Sequence, residues 1–191
     1  MKYPNLYKAF NRHIDLPIDV YLDLEGRLIH KKLGKKEFLF REGEVVKYLT
    51  FINDGLMINY IVEEDGEEHV IQIRGTGLWL GDLYSFFSDV RTRFNIQTCQ
   101  PTELLMINHK TFDYITKNHP VYEKFFRLNI QEAYVQTLNR IYNLHSATAE
   151  ERYLELIKNI PDLLDKIPHY LIASYLNIKP QSLSRIRKNL K

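Results

Sequence analysis

Polar and basic side chains cluster near the C-terminal end of the chain, in residues 179–191. This segment contains Lys179, Arg185, Arg187, Lys188 and Lys191 and no acidic residue. The rest of the chain carries more acidic than basic residues, so positive charge is concentrated at one end. Ammonium and guanidinium groups bind DNA phosphates, and the bidentate guanidinium also reads guanine. The segment therefore indicates contact with DNA; the alternative is a solvated surface helix that is basic by chance.

The apolar residues of the same region have the spacing of a helix-turn-helix. With Ala173 at the close contact between the helices, five residues face inward: Ile172, Leu176, Ile178, Leu183 and Ile186. The turn lies at Asn177, which tolerates left-handed φ, and Pro180 suits the first position of the second helix. The outward residues are the candidate DNA-binding residues: Lys179, Gln181, Ser182, Ser184, Arg185, Arg187 and Lys188. This pattern is typical of a recognition helix for the major groove.

Short strands upstream must build the scaffold that positions this unit. Residues 28–107 contain about seven alternating or β-branched runs, punctuated by glycines, which predict an all-β roll, sandwich or barrel. Asp65-Gly66 predicts a hairpin in which both residues adopt left-handed φ. The interruption at 81–87 predicts one helical turn set inside the roll, with Asp82 at its N-terminal end.

Helices flank the strands. Apolar spacing predicts one or two short helices in residues 1–27, and Asn108 is placed to cap a helix over 109–117. Pro120 opens a long helix that runs to about residue 144. Its apolar stripe comprises Phe126, Ile130, Tyr134, Leu138, Ile141 and His145. A narrow stripe favours pairing with a second copy, through Ile130, Tyr134, Leu138 and Ile141; packing on the chain's own β-roll is the alternative.

A capping box marks the end of the long helix. Thr148 is followed three residues later by Glu151, which predicts a new helix over 149–159 that ends near Pro161. Residues 146–148 are therefore the predicted hinge. The chain divides into a β-roll domain at 1–119, a dimerisation helix at 120–145 and a helix-turn-helix domain at 146–191, with no β-wing expected after the recognition helix.

Composition excludes several classes of protein. Aromatic residues make up 13% of the chain, which argues against disorder. No apolar run approaches the roughly 20 residues of a membrane span, and the N-terminus lacks a secretory core, so we expect a cytoplasmic protein. Cys99 is the single cysteine, which excludes an intrachain disulfide and a cysteine-bound cluster. The histidines are scattered and no catalytic triad is evident, so we predict no metal site and no enzyme.

Four segments carry a resemblance to a known family: KKLGKKEFLFREGEVVKYLTFINDGL, EEDGEEHVIQI, WLGDLYSFF and ASYLNIKPQSLSRIRK. In these segments and their order the chain resembles the cyclic-AMP receptor protein/FNR (Crp/Fnr) family of bacterial transcription regulators. The resemblance implies an α+β fold with an N-terminal cyclic-nucleotide-binding-type β-roll (a double-stranded β-helix or jelly roll). A long dimerisation helix and a C-terminal helix-turn-helix follow. The implied partners are double-stranded DNA, a second copy, RNA polymerase and an unidentified small-molecule effector.

The resemblance assigns roles within the recognition helix. Residues 180–185 match the family pattern, in which Arg185 stands at the base-reading position that contacts guanine. Gln181 replaces the usual acid and is expected to favour adenine. Lys179 replaces the usual capping Ser or Thr, so a cap is lost and a phosphate contact becomes available.

The effector site departs from the family pattern. The family holds a ribose hydroxyl with Gly-Glu and the cyclic phosphate with Arg-Ser or Arg-Thr; this chain has Gly81-Asp82, and counting back from the last strand places Thr92 and Arg93 at the Arg-Ser positions. A shift of one residue would bring Arg91 into place, but it would turn side chains to the opposite face. The resemblance thus gives seven candidate pocket residues: Gly81, Asp82, Leu83, Tyr84, Arg91, Thr92 and Arg93.

The expected function follows from these two assignments. We predict a sequence-specific DNA-binding transcription regulator with a degenerate effector domain, which requires no cofactor and does not bind cyclic AMP. The pocket is filled by its own aromatic residues or takes another small anion; the aromatic residues are Trp79, Tyr84, Phe86, Phe87 and Phe94. The alternative is a nucleotide- or small-anion-binding sensor that acts through protein contacts.

Overall fold

The computed structural model describes residues 1–160 and 163–190, so Pro161 and Lys191 lie outside the described residues. In chain order the elements are α1 (Pro4–Phe10), α2 (Ile18–Glu25), β1 (Ile29–Leu33), β2 (Phe38–Phe40), β3 (Tyr48–Asp54), β4 (Leu56–Val62), β5 (Glu68–Gly75), β6 (Trp79–Leu80), α3 (Leu83–Ser88), β7 (Asn95–Thr98), β8 (Thr102–Asn108), α4 (His109–Asn118), α5 (Val121–Ser146), α6 (Ala149–Asn159), α7 (Leu163–Lys166), α8 (His169–Tyr175) and α9 (Pro180–Asn189).

The strands form two antiparallel four-stranded sheets. One sheet has the order β1-β8-β3-β6 and the other β2-β7-β4-β5. Because most successive strands alternate between the sheets, the chain winds around a shared interior, which is the predicted β-roll. Residue 48 pairs with residue 108 across β3 and β8, and residue 62 pairs with residue 68 across β4 and β5.

The hairpin between β4 and β5 forms where it was predicted, with a different turn. Gly66 adopts a left-handed φ of 86°, but Asp65 does not. The Gly66 N–H donates to the carbonyl oxygen of Glu63, and the Glu67 N–H donates to the Asp65 side chain. The loop therefore spans residues 63–67, and the expectation that both Asp65 and Gly66 adopt left-handed φ is wrong. The Asp65 side chain closes the turn as a hydrogen-bond acceptor instead.

Three predicted helix starts are confirmed by their caps. Asp82 and Asn108 accept hydrogen bonds from the third residue of α3 and α4, respectively. Thr148 and Glu151 form the complete capping box of α6. A cap depends on residues three positions apart, which explains why local sequence was sufficient to predict these starts.

The buried residues form two clusters. The first fills the roll and packs it against α1, α2, α4 and the start of α5, including the fully buried Phe10 and Phe125. The second joins the outer face of β4 and β5 to the C-terminal helices; Ile58, Val70 and Ile73 contact a group that includes Leu171 and Leu183. The helix-turn-helix is therefore packed on the roll of its own chain.

Two short elements were not anticipated. Strand β6 consists of two residues that pair with β3, and α7 is a single turn. Both are too short to show periodicity in the sequence. Among the described residues, no helix has the length and apolar character needed to cross a membrane.

Candidate nucleic-acid interface and effector site

Helices α8 and α9 meet at the predicted turn. Asn177 adopts a left-handed φ of 52°, and Ala173 is fully buried between the helices. The Ile178 N–H donates to the Ala173 carbonyl oxygen at 3.0 Å, which closes the turn. Pro180 is the first residue of α9, and Lys179 precedes it without a side-chain cap. The predicted geometry of the turn is thus confirmed.

Helix α9 has a buried side and a polar side. Leu183 and Ile186 are buried in the second cluster, while Ile178 before the helix is only partly buried. The exposed residues on or before the helix are Lys179, Gln181, Ser184, Arg185 and Lys188, and Ser182 and Arg187 are partly buried. Five of the seven candidate DNA-binding residues are therefore exposed, and Ser182 and Arg187 are exposed only in part.

Arg187 faces the first helix of the pair. Its guanidinium contacts the imidazole of His169, at the start of α8. The contact joins the ends of α8 and α9 across the turn. Because the Arg187 guanidinium contacts His169, a phosphate bound by Arg187 would lie next to His169 as well. His169 was not among the sequence candidates, since its position 18 residues before Arg187 gives no local signal.

Helix α8 is tied to the edge strand β5. The Ser174 hydroxyl donates to the Glu68 carbonyl oxygen at 2.7 Å and accepts from the Val70 N–H at 2.9 Å. Because β5 is at the end of its sheet, these backbone groups would otherwise face water or another strand. Ser174 thus fixes the helix-turn-helix to the roll.

Arg140 connects the same strand to α5 and α8. Its Nη1 donates to the Ile71 carbonyl oxygen at 2.7 Å, and its Nη2 donates to those of Val70 and Tyr175 at 3.3 and 3.0 Å. The guanidinium lies over the Tyr175 ring, 4.4 Å from its centroid. Burial lowers the pKa of Arg140. Local sequence patterns do not indicate this role, because the contacts span 35 to 70 residues.

The second half of α5 exposes an apolar face. The four candidate dimer residues are 40–64% exposed: Ile130, Tyr134, Leu138 and Ile141. Val135 and Tyr142 extend the face and are 53% and 69% exposed. Phe126, in contrast, is buried against the roll. The start of α5 therefore packs on the roll, as the alternative interpretation had it, while the later turns expose apolar side chains and their pairing with a second copy stays a prediction.

Two of the seven candidate pocket residues come together inside the roll. Asp82 and Thr92 are both buried, and the Thr92 hydroxyl donates to Asp82 Oδ2 at 2.8 Å. Asp82 Oδ1 accepts from the Ser85 N–H at 3.2 Å, and the Ser85 hydroxyl oxygen accepts from the Val46 N–H. Both oxygens of the carboxylate are thus used by the protein itself.

The neighbouring arginines lie outside. Arg91 and Arg93 are exposed, and Arg91 donates to the Gly43 carbonyl oxygen at 2.5 Å. The backbone of Thr92 forms two hydrogen bonds: its N–H donates to the Glu44 carbonyl oxygen, and its carbonyl oxygen accepts from the Gly43 N–H. A shift of one residue would break these bonds, so Thr92, and not Arg91, is held toward Asp82.

The remaining pocket residues and the aromatic group are dispersed. Leu83 and Tyr84 are 39% and 69% exposed, and Phe87 is 53% exposed, so these side chains do not fill the roll. Phe86 is fully buried and stacks on His109 with a centroid distance of 3.9 Å. The expectation that the five aromatic residues occupy the pocket together is wrong. On α3 only one side faces the core, and the consecutive aromatic residues necessarily point in different directions.

Trp79 belongs to a different group. Its ring packs against Phe10, Phe51, Phe125 and Phe126, with centroid distances of 5.5–6.0 Å. These residues lie on α1, β3 and α5, so Trp79 joins the N-terminal helix and the long helix to the sheet. It covers the roll on that side, as a core residue would.

Comparison with known proteins gives a family match for the roll and fold matches for most of the chain. Residues 30–119 match the family model of the cyclic nucleotide-binding domain. A sequence search of curated proteins finds no match. The fold is similar to that of the c-di-GMP-responsive global regulator CLP of Xanthomonas campestris, with a TM-score of 0.72, 14% identity and coverage of 91% of each chain.

Two further structures share the fold. FixK2 of Bradyrhizobium japonicum gives a TM-score of 0.72 at 17% identity and covers 85% of this chain and 84% of its own. The catabolite activator protein of Thermus thermophilus gives a TM-score of 0.58 at 18% identity, over 95% of this chain and 86% of its own. The predicted resemblance in fold is confirmed: residues 30–119 match the model of the cyclic nucleotide-binding domain, and the chain as a whole has the fold of the Crp/Fnr-type regulators to which it is similar.

Proposed function

We propose that this chain is a sequence-specific DNA-binding transcription regulator, acts as a homodimer and has no enzymatic role. The observation that carries the proposal is the polar and basic face of α9, presented on a helix-turn-helix whose opposite side is buried. Arg185 is exposed and positioned to read guanine, and Gln181 one turn earlier to read adenine. Ser182 and Ser184 lie beside them, while Lys179 and Lys188, with Arg187 beside His169, contact phosphates.

The apolar face of α5 supports dimer formation. Tyr134 and Leu138 lie one helical turn apart on an exposed stretch that would otherwise place large apolar side chains in water. Pairing of two such helices would present two recognition helices to successive major grooves, about 34 Å apart on a palindromic site. We therefore divide the chain functionally into the roll at 1–119, the dimer helix at 120–145 and the DNA-binding unit at 146–191. A cytoplasmic location and contact with RNA polymerase follow from this role.

The roll has lost the chemistry for a cyclic nucleotide. In the family pattern an arginine at the position of Thr92 pairs with the phosphate. Here that position carries a hydroxyl that satisfies Asp82, and a ribose hydroxyl would have to displace it. Calorimetry with cyclic AMP and cyclic GMP tests this part; micromolar binding of either nucleotide would overturn it. No cofactor is required in this proposal.

DNA binding is tested with a panel of operator-like and random duplexes. The wild-type affinity for random duplex should fall steeply between about 50 and 200 mM salt. Arg185→Ala should lose about 1–3 kcal/mol at one base pair of a selected site, whereas Lys188→Ala should weaken all sequences equally. Arg93→Ala, which removes an exposed arginine from the roll, is the matched control and should bind as wild type. Absence of duplex binding at low salt would refute the proposal and favour a sensor that acts through protein contacts.

A further inference from the structure

A cavity of about 230 Å³ lies between the end of α1, the turn that joins β5 to β6, and the side of α5 that faces them. None of its lining residues belongs to the segment 81–93, which contains the Asp82–Thr92 pair. The cavity is therefore a separate candidate site. Its polar lining comes from six residues: Arg12, His13, Arg74, Asn129, Glu132 and Gln136.

The two arginines of the cavity differ in their surroundings: Arg12 is exposed, whereas Arg74 lies near the charge of Glu132. Arg74 donates to Gln136 Oε1 over a long 3.4 Å, and burial lowers the pKa of its guanidinium. Gly77, with a left-handed φ of 85°, leaves room for Arg12; a Cβ at Gly77 would lie 3.4 Å from Arg12 Nη2. In the part of the chain that the structure describes, neither arginine forms an ion pair within 4.0 Å. A guanidinium in such a place binds a carboxylate or phosphate well.

The charge balance of the cavity favours a ligand with a single negative charge. Glu132 also lines the cavity and lies 3.3 Å from the His13 imidazole. Two arginines and one glutamate leave an excess of one positive charge, not counting His13. A monoanion neutralises this excess, whereas a doubly charged phosphate would leave an excess of one negative charge beside Glu132.

The size of the cavity and its apolar lining favour an anion that also carries a small apolar group. About 230 Å³ is below the roughly 300–1,000 Å³ of pockets for drug-sized ligands and corresponds to about eight water molecules. Leu78, Trp79 and Phe125 form an apolar wall, with the two rings 6.0 Å apart. A small aromatic or branched acid would cover this wall and reach the arginines.

We propose that this cavity binds a small organic monocarboxylate. Its carboxylate would contact the guanidinium groups of Arg74 and Arg12, and its apolar body would pack on Trp79 and Phe125. Gln136 holds the Arg74 side chain in place. The proposal does not depend on DNA binding, because none of the lining residues lies on α8 or α9.

Trp79 makes the proposal directly measurable. It is the only tryptophan in the chain and lines the cavity, so its fluorescence reports occupancy. We expect titration of the full chain with benzoate to give a saturable change in Trp79 emission. Benzamide, which has the same shape without the charge, should bind at least about 10-fold more weakly, or 1.4 kcal/mol. Inorganic phosphate should also bind more weakly than benzoate.

Two variants and one control locate the site. Arg74→Gln should weaken benzoate binding at least about 10-fold. Arg127→Gln, the same change at an exposed arginine that does not line the cavity, should leave it unchanged. Ala133→Leu keeps every charge and extends a lining residue into the cavity, so it should also prevent binding. Circular dichroism establishes that each variant is folded before it is titrated.

Four results would overturn the proposal. The first is the absence of a saturable response to benzoate, and the second is equal binding of benzamide. The third is tighter binding of phosphate than of benzoate. The fourth is unchanged benzoate affinity in a folded Arg74→Gln or Ala133→Leu protein.

Discussion

Replacement of Arg140 by methionine tests how firmly the helix-turn-helix is held to the roll. Arg140 lies on α5 and donates three hydrogen bonds, two to carbonyl oxygens of β5 and one to Tyr175 at the end of α8. Methionine keeps most of the apolar stem, and removes the guanidinium. The change therefore isolates the polar connection between the three elements from the packing around it.

The expected loss can be worked out from these contacts. A hydrogen bond with a charged donor contributes about 1.5–3 kcal/mol. The bond to Ile71 is short at 2.7 Å, but those to Val70 and Tyr175 share one nitrogen, and the first of these is long at 3.3 Å. Stacking on Tyr175 adds about 0.5–1 kcal/mol, and desolvation of the guanidinium offsets part of the total. Arg140→Met should therefore lower the free energy of unfolding by about 2–4 kcal/mol.

Urea unfolding followed by circular dichroism measures this loss, at one protein concentration for all variants. The midpoint should fall while the m-value stays constant, because the surface exposed on unfolding is the same. Arg127→Met is the matched control on the same helix: Arg127 is exposed and makes one 3.3 Å bond to Gln131, so the change should cost less than about 0.5 kcal/mol. Equal losses of unfolding free energy in Arg140→Met and Arg127→Met would show that the Arg140 contacts do not hold the helix-turn-helix to the roll.

Three further measurements test other parts of the fold. Thr148→Ala removes the capping box of α6 and should cost about 1 kcal/mol in urea unfolding, more than Thr137→Ala, which removes a hydroxyl that bonds within α5. Burial raises the pKa of the Cys99 thiol to about 12. Because the unfolded thiol ionises near pH 8.5, stability should decline above that pH, and Cys99→Ala should remove this component of the decline. A hydrogen bond from His119 and the nearby Arg27 guanidinium lower the pKa of Asp23. The contribution of Asp23 to stability is therefore complete above about pH 4, the pKa of an unfolded aspartate, and is lost as the pH falls further. Asp23→Asn should reduce this loss of stability at low pH.

Local sequence was sufficient to predict most of the elements and the helix-turn-helix. The caps of α3, α4 and α6 depend on pairs three residues apart, and each was found from the residue types alone. The turn at Asn177 depends on one residue that accepts left-handed φ and on a proline three positions later. In these places the physical cause lies within a few residues, and the sequence displays it directly.

Contacts between distant segments could not be predicted in the same way. Ser174 bonds to backbone groups more than 100 residues earlier, and nothing in its own segment marks it. Arg74 and Arg140 carry no signal in their own segments either, since charge patterning alone assigns a basic residue to solvent or to DNA. The opposite orientation of Thr92 and its neighbouring arginines was predictable in part, because adjacent residues of an extended segment face opposite sides. That the Thr92 hydroxyl donates to the Asp82 carboxylate becomes visible only in the folded chain.

The hydrogen bonds of Ser174 and Arg140 connect α8 to β5 and α5. They limit how a ligand could regulate the protein through the predicted hinge at 146–148. Movement of α8 about this hinge would break the Arg140 bond to Tyr175 and both bonds of Ser174, at a cost of several kcal/mol by the values above. A ligand that prefers one arrangement tenfold supplies only about 1.4 kcal/mol. A modest preference therefore cannot release the helix-turn-helix from the roll. It is sufficient, however, for a small shift of α5 that moves β5 and α8 together, because that motion preserves the bonds of Arg140 and Ser174. An effector in the cavity beside Gln136 would act on this shared body, and in the proposed dimer the property that it would change is the spacing of the two α9 helices.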